Sequence, residues 1–354
     1  MASSSRKPRM GSQSNIMFTN AVYYPSSALY AEDTPGQLNY SCISLVYYAF
    51  AKVTFEGIVF VSRHHIFRGA GPDDKADDRM QLSDEWADAG APCDGVQGAL
   101  GSLMHRKQEH HHLQVVLSIG GTESAAVFPS VAADPIRRDN FARSALGLVD
   151  ASGLDGIDIN WAYPSDAQQG ADFLALLGQV RMYLTEDKYV VTASLPANKD
   201  YLQVLDLRHV AGYVDLVNLA AYDLYGPWSP KCGHQAQLYA VGKDENSGAS
   251  AVQHLMSQGV PSKKILLGIP LYGRSFLDTA GPGHSFSAAG GMEDGTFEYR
   301  ELPRRGAREH TDKRVVAAQC VGGDGGFVSY DNPETVRLKA AFCKQKSLGT
   351  ASEV

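Results

Sequence analysis

The chain has 354 residues, of which 44% are hydrophobic and 20% charged, so it contains enough apolar material for a large folded core. Its formal net charge of -7 gives no electrostatic support for a nucleic-acid partner. No apolar run approaches the roughly 20 residues of a membrane-spanning helix, and the five cysteines lack the spacing of a metal site. Residues 1–15 are polar and basic, which predicts a disordered N-terminal arm rather than a complete secretory signal peptide.

Seven short apolar runs rich in β-branched residues alternate with amphipathic stretches along the chain. The predicted strands are residues 16–23, 43–51, 114–119, 156–161, 190–194, 216–220 and 265–269. The predicted helices include residues 95–107, 134–152, 170–184 and 249–258. Such alternation indicates a parallel sheet built of βα units, and no glycine-rich dinucleotide fingerprint follows the first strand. The pattern therefore favours an α/β fold of the closed (β/α)8 TIM-barrel type, and no motif predicts a cofactor.

Two regions interrupt this alternation. Residues 61–79 are polar and form a stretch long enough to predict an extended loop. Residues 275–327 are rich in glycine and aromatic side chains, which predicts a small β-rich insertion domain after the seventh strand. An Asn-Pro pair then opens a predicted helix over 332–346, after which only a short or truncated eighth strand can follow. We therefore expect one barrel domain over residues 16–354 that contains the insertion.

The stretch LDGIDINWAYP, residues 154–164, carries polar residues inside a predicted buried strand. Asp158, Asn160 and Ala162 alternate with apolar neighbours, so one face of the fourth strand carries two polar side chains near its carboxyl end. In a barrel, the carboxyl ends of the strands form the active site. The residues alone leave two interpretations open, a ligand-binding site and a hydrogen-bonded polar layer of the core. A calcium loop does not fit, because its glycine and distal glutamate are absent.

This stretch closely resembles the Asp-Gly-x-Asp-x-Asp-x-Glu signature of family 18 glycoside hydrolases, the chitinases. Further segments resemble motifs of the same family in the same order along residues 18–348, and the likeness is strongest to fungal chitinases. They are LVYYAFA (45–51), LSIGG (117–121), LAAYDLYGPW (219–228), LGIPLYGRSF (267–276), DGTFEY (294–299) and FVSYDNPETV (327–336). The resemblance implies the barrel fold and the binding of chitin, a polymer of N-acetylglucosamine.

The resemblance also implies a reaction, and two substitutions bear on it. Family members are similar to retaining glycosidases but use the substrate's own acetamido group as nucleophile, while a glutamate protonates the leaving oxygen and the preceding aspartate orients the acetamide. Here the acid position is Ala162, which has no proton to give, and the orienting position is Asn160, which carries no charge. General acid catalysis contributes about 10²–10⁴-fold, so we expect negligible hydrolysis and no catalytic residue.

The family's sugar-binding positions are retained only in part. The resemblance implies that the following residues contact the sugar: Tyr23, Phe50, Asp158, Asn160, Tyr163, Tyr222, Asp223, Trp228, Tyr272 and Arg274. Core packing remains the alternative for most of them and for Phe50 in particular, whereas the Gly-Pro before Trp228 favours an exposed platform. Two further platforms fall on Ser27 and Thr122, the sixth-strand methionine falls on Ala220, and the eighth-strand tryptophan is missing. Sugar rings stack on aromatic faces, so each loss should weaken affinity.

These expectations describe a secreted, monomeric, chitinase-like pseudoenzyme that binds chitin and N-acetylglucosamine oligomers without cutting them, with neither nucleic acid nor membrane as a partner. In a fungus such a protein would act as an effector that sequesters chitin fragments from host immune detection. Two alternatives remain, a weak residual chitinase and a decayed relic that binds nothing. The substitutions are compatible both with selected binding and with plain decay.

Overall fold

The structure is a computed structural model that describes residues 19–61, 84, 86–242, 245–292 and 294–353. The predicted N-terminal arm, the start of the first predicted strand and nearly all of the loop predicted at 61–79 lie outside these residues. The chain divides into two compact units, Met1–Ser194 with Val204–Asp215, and Leu195–Gln203 with Leu216–Val354. Within the described ranges, no helix is both long enough and apolar enough to cross a membrane.

The first unit contains a parallel sheet in which each strand pairs with the next along the chain. Its strands are β1 (Ala21–Pro25), β2 (Leu45–Val53), β3 (Gln114–Gly120), β4 (Gly156–Asn160) and β5 (Val190–Pro196). Strands β3 to β5 are almost entirely buried, as expected for parallel strands that are covered on both faces. Two short antiparallel pairings accompany the sheet, one between β2 and Val59–Phe60 and one between Pro92–Cys93 and Val96–Gln97.

Helices follow the strands of this unit, as the alternating pattern predicts. They are α1 (Ala99–Glu109), α2 (Phe128–Ala133), α3 (Pro135–Ser152), α4 (Ala167–Tyr183) and α5 (Leu207–Tyr213). Helix α3 begins where the Asp134 carboxylate accepts hydrogen bonds from the backbone N–H groups of Ile136 and Arg137. It ends at Gly153, whose φ of 70° suits the left-handed position that terminates many helices.

Local packing explains the residues around β4. Ile157 and Ile159 are fully buried, and Trp161, directly after the strand, stacks on Phe128 of α2 with ring centroids 5.6 Å apart. These apolar side chains therefore belong to the layer between sheet and helices. Gly156 opens the strand because no side chain fits there: a Cβ atom would lie 1.7 Å from the backbone oxygen of the facing residue of β5.

The second unit contains the sixth and seventh predicted strands and a separate antiparallel sheet. Strands β6 (Leu216–Ala220) and β7 (Ile265–Ile269) pair in parallel. The antiparallel strands are β8 (Tyr272–Phe276), β9 (Thr296–Glu298), β10 (Arg308–Asp312), β11 (Ala317–Val321) and β12 (Phe327–Tyr330). Their spatial order is β9-β8-β12-β11-β10. This sheet is the β-rich region that the sequence predicts after the seventh strand, although it begins at Tyr272 rather than at Ser275.

Two helices and a last strand complete the second unit. Helix α6 (Gly248–Ser257) precedes β7, a single helical turn lies at Lys199–Leu202, and α7 (Pro333–Lys346) follows the antiparallel sheet. The predicted Asn-Pro start of α7 is confirmed, because the Asn332 side chain accepts hydrogen bonds from two backbone N–H groups of the first turn. Strand β13 (Thr350–Glu353) then pairs in parallel with β7, so four residues form a strand where the eighth was expected.

Candidate functional site

Asp158 of β4 is fully buried and accepts hydrogen bonds from three hydroxyl groups. The hydroxyls of Tyr23 in β1 and Ser118 in β3 donate to Oδ2 at 3.0 and 2.7 Å, and that of Thr192 in β5 donates to Oδ1 at 2.7 Å. A buried carboxyl group is costly unless it is hydrogen-bonded, so these hydroxyls make the polar position tolerable. The carboxyl group in turn connects β4 to three other strands of the first unit.

Ser118 lies in the LSIGG motif of the sequence analysis, but neither Ser118 nor Thr192 was predicted to contact Asp158. Strand register explains the contact, because Ser118, Asp158 and Thr192 are directly paired across β3, β4 and β5. The available signal was a hydroxyl residue in the middle of each of two mostly apolar strands. Such a residue needs a buried partner, but the sequence does not say which one.

Asn160 and Ala162 continue the row toward the carboxyl end of β4, and both are partly exposed. Within the described part of the chain, the Asn160 side-chain amide makes no hydrogen bond, while its backbone oxygen accepts from the N–H of Gly121 at 3.0 Å. The backbones of Gly120 and Asn160 approach closely, so position 120 must be glycine: a Cβ atom there would lie 2.1 Å from the Asn160 backbone oxygen. The row thus offers a satisfied carboxyl group, an available amide and a methyl group.

Aromatic rings accompany this row at the ends of β1 and β2. The Tyr23 ring stacks on Tyr47 with centroids 4.5 Å apart and lies 6.4 Å from the ring of Phe50. Phe50 is 36% exposed and packs over Gly121, where a Cβ atom would come within 3.0 Å of its ring. Phe50 therefore combines core contact with an accessible face, and Tyr163, after β4, is partly exposed as well. Non-proline cis peptide bonds precede both Phe50 and Tyr163.

In the second unit, Arg274 of β8 organises the candidate residues. It is only 6% exposed, and its Nε donates to Asp223 Oδ1 at 2.8 Å while its Nη1 donates to the Asp294 backbone oxygen at 2.6 Å. The guanidinium carbon lies 4.9 Å from the ring centroid of Trp228 and 5.4 Å from that of Tyr272. The ion pair with Asp223 and the two aromatic faces together compensate the charge of the buried guanidinium. Asp294 opens the DGTFEY motif of the sequence analysis, but its contact with Arg274 was not predicted.

The aromatic residues around Arg274 differ in exposure. Trp228 is 61% exposed, and its indole packs on Gly226, where a Cβ atom would lie 2.3 Å from the ring. Tyr222 lies edge-on to Tyr272, with centroids 6.3 Å apart. Burial raises the pKa of the Tyr272 phenol well above its usual value, and the neighbouring Asp223 carboxylate raises it further. The phenol therefore remains protonated near neutral pH, and the Asp223 carboxylate accepts its hydrogen bond.

The residues that the structure describes contain no group of three or more His, Cys, Asp or Glu side chains that could hold a metal ion. The first unit offers aromatic faces and an amide beside a buried carboxyl group, and the second unit offers aromatic faces beside a buried guanidinium that is paired with a carboxylate. Such groups are suited to a neutral ligand with many hydroxyl or amide groups.

Comparison with known proteins identifies the family. A sequence profile described as "Glycosyl hydrolases family 18" matches residues 19–352. The chain belongs to this family. Chitinase 1 of Aphanocladium album is 33% identical over 351 residues, which are 94% of this chain and 79% of that protein. Endochitinase 1 of Metarhizium robertsii is 34% identical over 356 residues, which are also 94% of this chain and 79% of that protein. The predicted likeness to fungal chitinases is confirmed.

Solved structures of chitinases establish the fold. A chitinase from Bacillus thuringiensis superimposes with a TM-score of 0.80 at 22% identity, over 95% of this chain and 65% of that chain. A mutant family 18 chitinase from Cycas revoluta, solved in complex with (GlcNAc)4, gives a TM-score of 0.76 at 25% identity, over 95% and 94% of the two chains. This family 18 chain therefore has the (β/α)8 barrel fold, as the sequence predicts.

Replacing Thr192 by valine removes one hydroxyl donor from the buried Asp158 carboxyl group and keeps the side-chain shape. We expect the free energy of unfolding to fall by about 1–3 kcal/mol, the usual cost of removing one partner from a buried polar group. Urea denaturation followed by circular dichroism measures this loss. The control is Thr185→Val, because Thr185 is exposed, and its effect should stay below about 0.5 kcal/mol. Equal losses in both variants would contradict the role of the Thr192 hydroxyl.

Proposed function

We propose that this family 18 protein binds oligomers of N-acetylglucosamine, the fragments of chitin, without hydrolysing them. The observation that carries the proposal is the row Asp158, Asn160 and Ala162 at the carboxyl end of β4. The family's reaction needs a proton donor at the last position and a carboxylate at the middle one. A methyl group cannot protonate a glycosidic oxygen, and a neutral amide cannot neutralise charge that develops on a sugar ring.

Several retained groups support sugar binding. The Asn160 amide can donate to and accept from a hydroxyl or acetamido group, and it makes no hydrogen bond within the described chain. Phe50 and Trp228 expose ring faces on which pyranose rings can stack. Related chitinases from Cycas revoluta and tobacco are solved in complexes with (GlcNAc)3, (GlcNAc)4 and NAG4, so this ligand class is bound within the family fold.

Loss of the two carboxylates also favours ground-state binding. An ionised carboxylate that is covered by a neutral sugar loses its water without gaining a partner charge, which costs free energy. An amide and a methyl group carry no such cost. Binding energy that an active enzyme uses to distort its substrate is also retained as affinity when no transition state is formed. The substituted row is therefore a coherent arrangement for holding chitin fragments.

This binding fits a secreted, monomeric protein that sequesters chitin fragments from a plant or animal host. The similarity to the chitinases of Aphanocladium album and Metarhizium robertsii supports a fungal setting. A binder that does not cut its ligand lowers the free concentration of fragments by mass action, for as long as it is present in excess.

A weak residual hydrolase is the second candidate function. The observation that favours it is the intact Asp158, which still accepts hydrogen bonds from Tyr23, Ser118 and Thr192. This alternative requires water or another carboxyl group to supply the proton. It predicts slow formation of shorter oligomers with a dependence on pH, whereas the non-hydrolytic binder predicts no product at any pH.

Isothermal titration with a hexamer of N-acetylglucosamine, followed by chromatography of the same sample after overnight incubation, tests binding and hydrolysis together. We expect saturable heat and an intact hexamer. Shortened products would contradict the proposal and support the residual hydrolase. The absence of heat would support a relic that binds nothing.

Restoring both carboxyl groups, by Asn160→Asp together with Ala162→Glu, should produce measurable hydrolysis of the hexamer. The matched control is Asn160→Asp with Ala162→Gln, which has the same side-chain length at position 162 but no carboxyl group there. We expect the acid to raise the rate over the control by up to about 10²–10⁴-fold. The rate should remain below that of a full chitinase, because Ser27 and Thr122 replace aromatic platforms of the family. Equal rates in the two variants would show that Ala162 is not the acid position.

Trp228→Ala should weaken hexamer binding by about tenfold or more, equivalent to at least about 1.4 kcal/mol, and leave the melting temperature nearly unchanged. The reason is that most of the indole faces solvent, so its loss removes a stacking surface and little core packing. Titration calorimetry and thermal unfolding measure the two quantities. The control is Tyr239→Ala, another exposed aromatic of the second unit, which packs on Phe342 of α7. Unchanged affinity in Trp228→Ala would remove Trp228 from the binding residues.

A further inference from the structure

A short turn before β2 contains an asparagine that is followed two residues later by a serine. Asn39-Tyr40-Ser41 is the one Asn-x-Ser/Thr sequence among the 354 residues, and its middle residue is not proline. This tripeptide is the acceptor sequence for N-linked glycans in proteins that pass through the secretory pathway. So short a pattern also occurs by chance. Whether the site can carry a glycan depends on its exposure and on its hydrogen bonds.

The turn exposes both ends of the tripeptide and buries its middle. Asn39 and Ser41 are exposed, whereas Tyr40 is only 5% exposed. The Tyr40 hydroxyl donates to the Pro35 backbone oxygen at 2.7 Å, and the Tyr40 ring stacks on His110 with centroids 5.0 Å apart. Because Tyr40 anchors the turn to the protein, the asparagine and the serine are held at the surface of the folded chain.

Hydrogen bonds join the asparagine to the serine and leave the amide nitrogen available. The Ser41 hydroxyl donates to Asn39 Oδ1 at 2.6 Å, and the Ser41 backbone N–H donates to the same oxygen at 3.2 Å. The Asn39 backbone oxygen accepts from the N–H of Cys42 at 3.1 Å. Among the residues that the structure describes, no group is hydrogen-bonded to Asn39 Nδ2. A glycan on Nδ2 would therefore break no hydrogen bond of the folded chain.

The turn lies at the amino ends of the parallel strands, at the edge opposite the carboxyl end of β4. His112, two residues before β3, donates through Nε2 to the Tyr40 backbone oxygen at 2.9 Å, which fixes the turn at this edge. The first residue of β2 pairs with Gln114 of β3, whereas Asn160 pairs with Gly120, six residues further along the same strand. At roughly 3.3 Å per residue, Asn160 lies about 20 Å along the strands from the edge that carries the turn.

We propose that Asn39 is a site of N-linked glycosylation. In this step Asn39 Nδ2 forms a bond to the anomeric carbon of the first sugar of a lipid-linked oligosaccharide donor. The bond between that carbon and the donor's pyrophosphate oxygen breaks, and the amide proton leaves with the lipid pyrophosphate. The inference rests on the secretion included in the proposed function and is independent of sugar binding at the β4 row. The secreted chain thus carries a glycan at the amino ends of its strands, which leaves that row uncovered.

Mass spectrometry of the full chain, expressed with a secretion signal in a eukaryotic host, tests the site. We expect a mass increase that peptide-N-glycosidase F removes, with conversion of Asn39 to aspartate located by tandem mass spectrometry. Ser41→Ala should abolish the modification, because it removes the hydroxyl that the acceptor sequence requires. The matched variant Ser41→Thr keeps a hydroxyl and should retain the glycan. Ser41 is exposed, so neither variant should alter the melting temperature appreciably.

Each other outcome of this experiment has a distinct meaning. A secreted chain without a glycan would overturn the glycosylation site and leave the proposed sugar binding intact. A modification that survives Ser41→Ala would lie elsewhere and overturn the assignment to Asn39. A chain that is glycosylated at Asn39 but binds no hexamer of N-acetylglucosamine would support the site while the proposed function fails.

Titration calorimetry with the hexamer, before and after enzymatic removal of the glycan, tests the position of the glycan relative to the β4 row. Because the turn lies at the opposite edge of the sheet, we expect the two affinities to agree within about twofold. The control is Asn39→Gln from the same host, which lacks the glycan without enzyme treatment. A larger rise in affinity on removal would show that the glycan covers the row and would overturn its placement at the amino ends.

Discussion

The hydrogen bonding of one buried carboxyl group organises the first unit of this protein. Asp158 accepts from Tyr23, Ser118 and Thr192, so a polar group that would otherwise oppose burial instead joins four parallel strands. The tyrosine partner also stacks on Tyr47, which ties the polar row to the aromatic residues of β1 and β2. The row therefore stays in place with an amide at Asn160 and a methyl group at Ala162.

A similar arrangement around a buried cation organises the second unit. Arg274 is paired with Asp223 and with Asp294, and it lies beneath the exposed indole of Trp228. Its charge is therefore compensated within the protein. In each unit the central charged group, Asp158 or Arg274, is buried and satisfied by protein partners, and an aromatic ring is exposed beside it, which suits a neutral polysaccharide better than an ionic ligand.

Much of the fold could be predicted from the sequence. The predicted sixth and seventh strands match β6 and β7 residue for residue, because each is a largely apolar run of strand length at the expected place in the alternation of strands and helices. The first strand was placed too early, since β1 begins at Ala21 among the described residues. The hydrogen-bond partners of Asp158 could not be predicted from the sequence. A hydroxyl group in a strand, such as that of Thr192, shows that a partner is needed and does not identify it.

The sequence by itself determined the alternating architecture, the family motifs and the row Asp158, Asn160 and Ala162, because periodicity and side-chain chemistry are local properties of a chain. Only the tertiary structure decided that Ser118 and Thr192 share a register with Asp158, and that Arg274 meets Asp223 across 51 positions of sequence. The physical reason is that such contacts depend on strand register and on buried anchors, which become defined only when distant segments pack together.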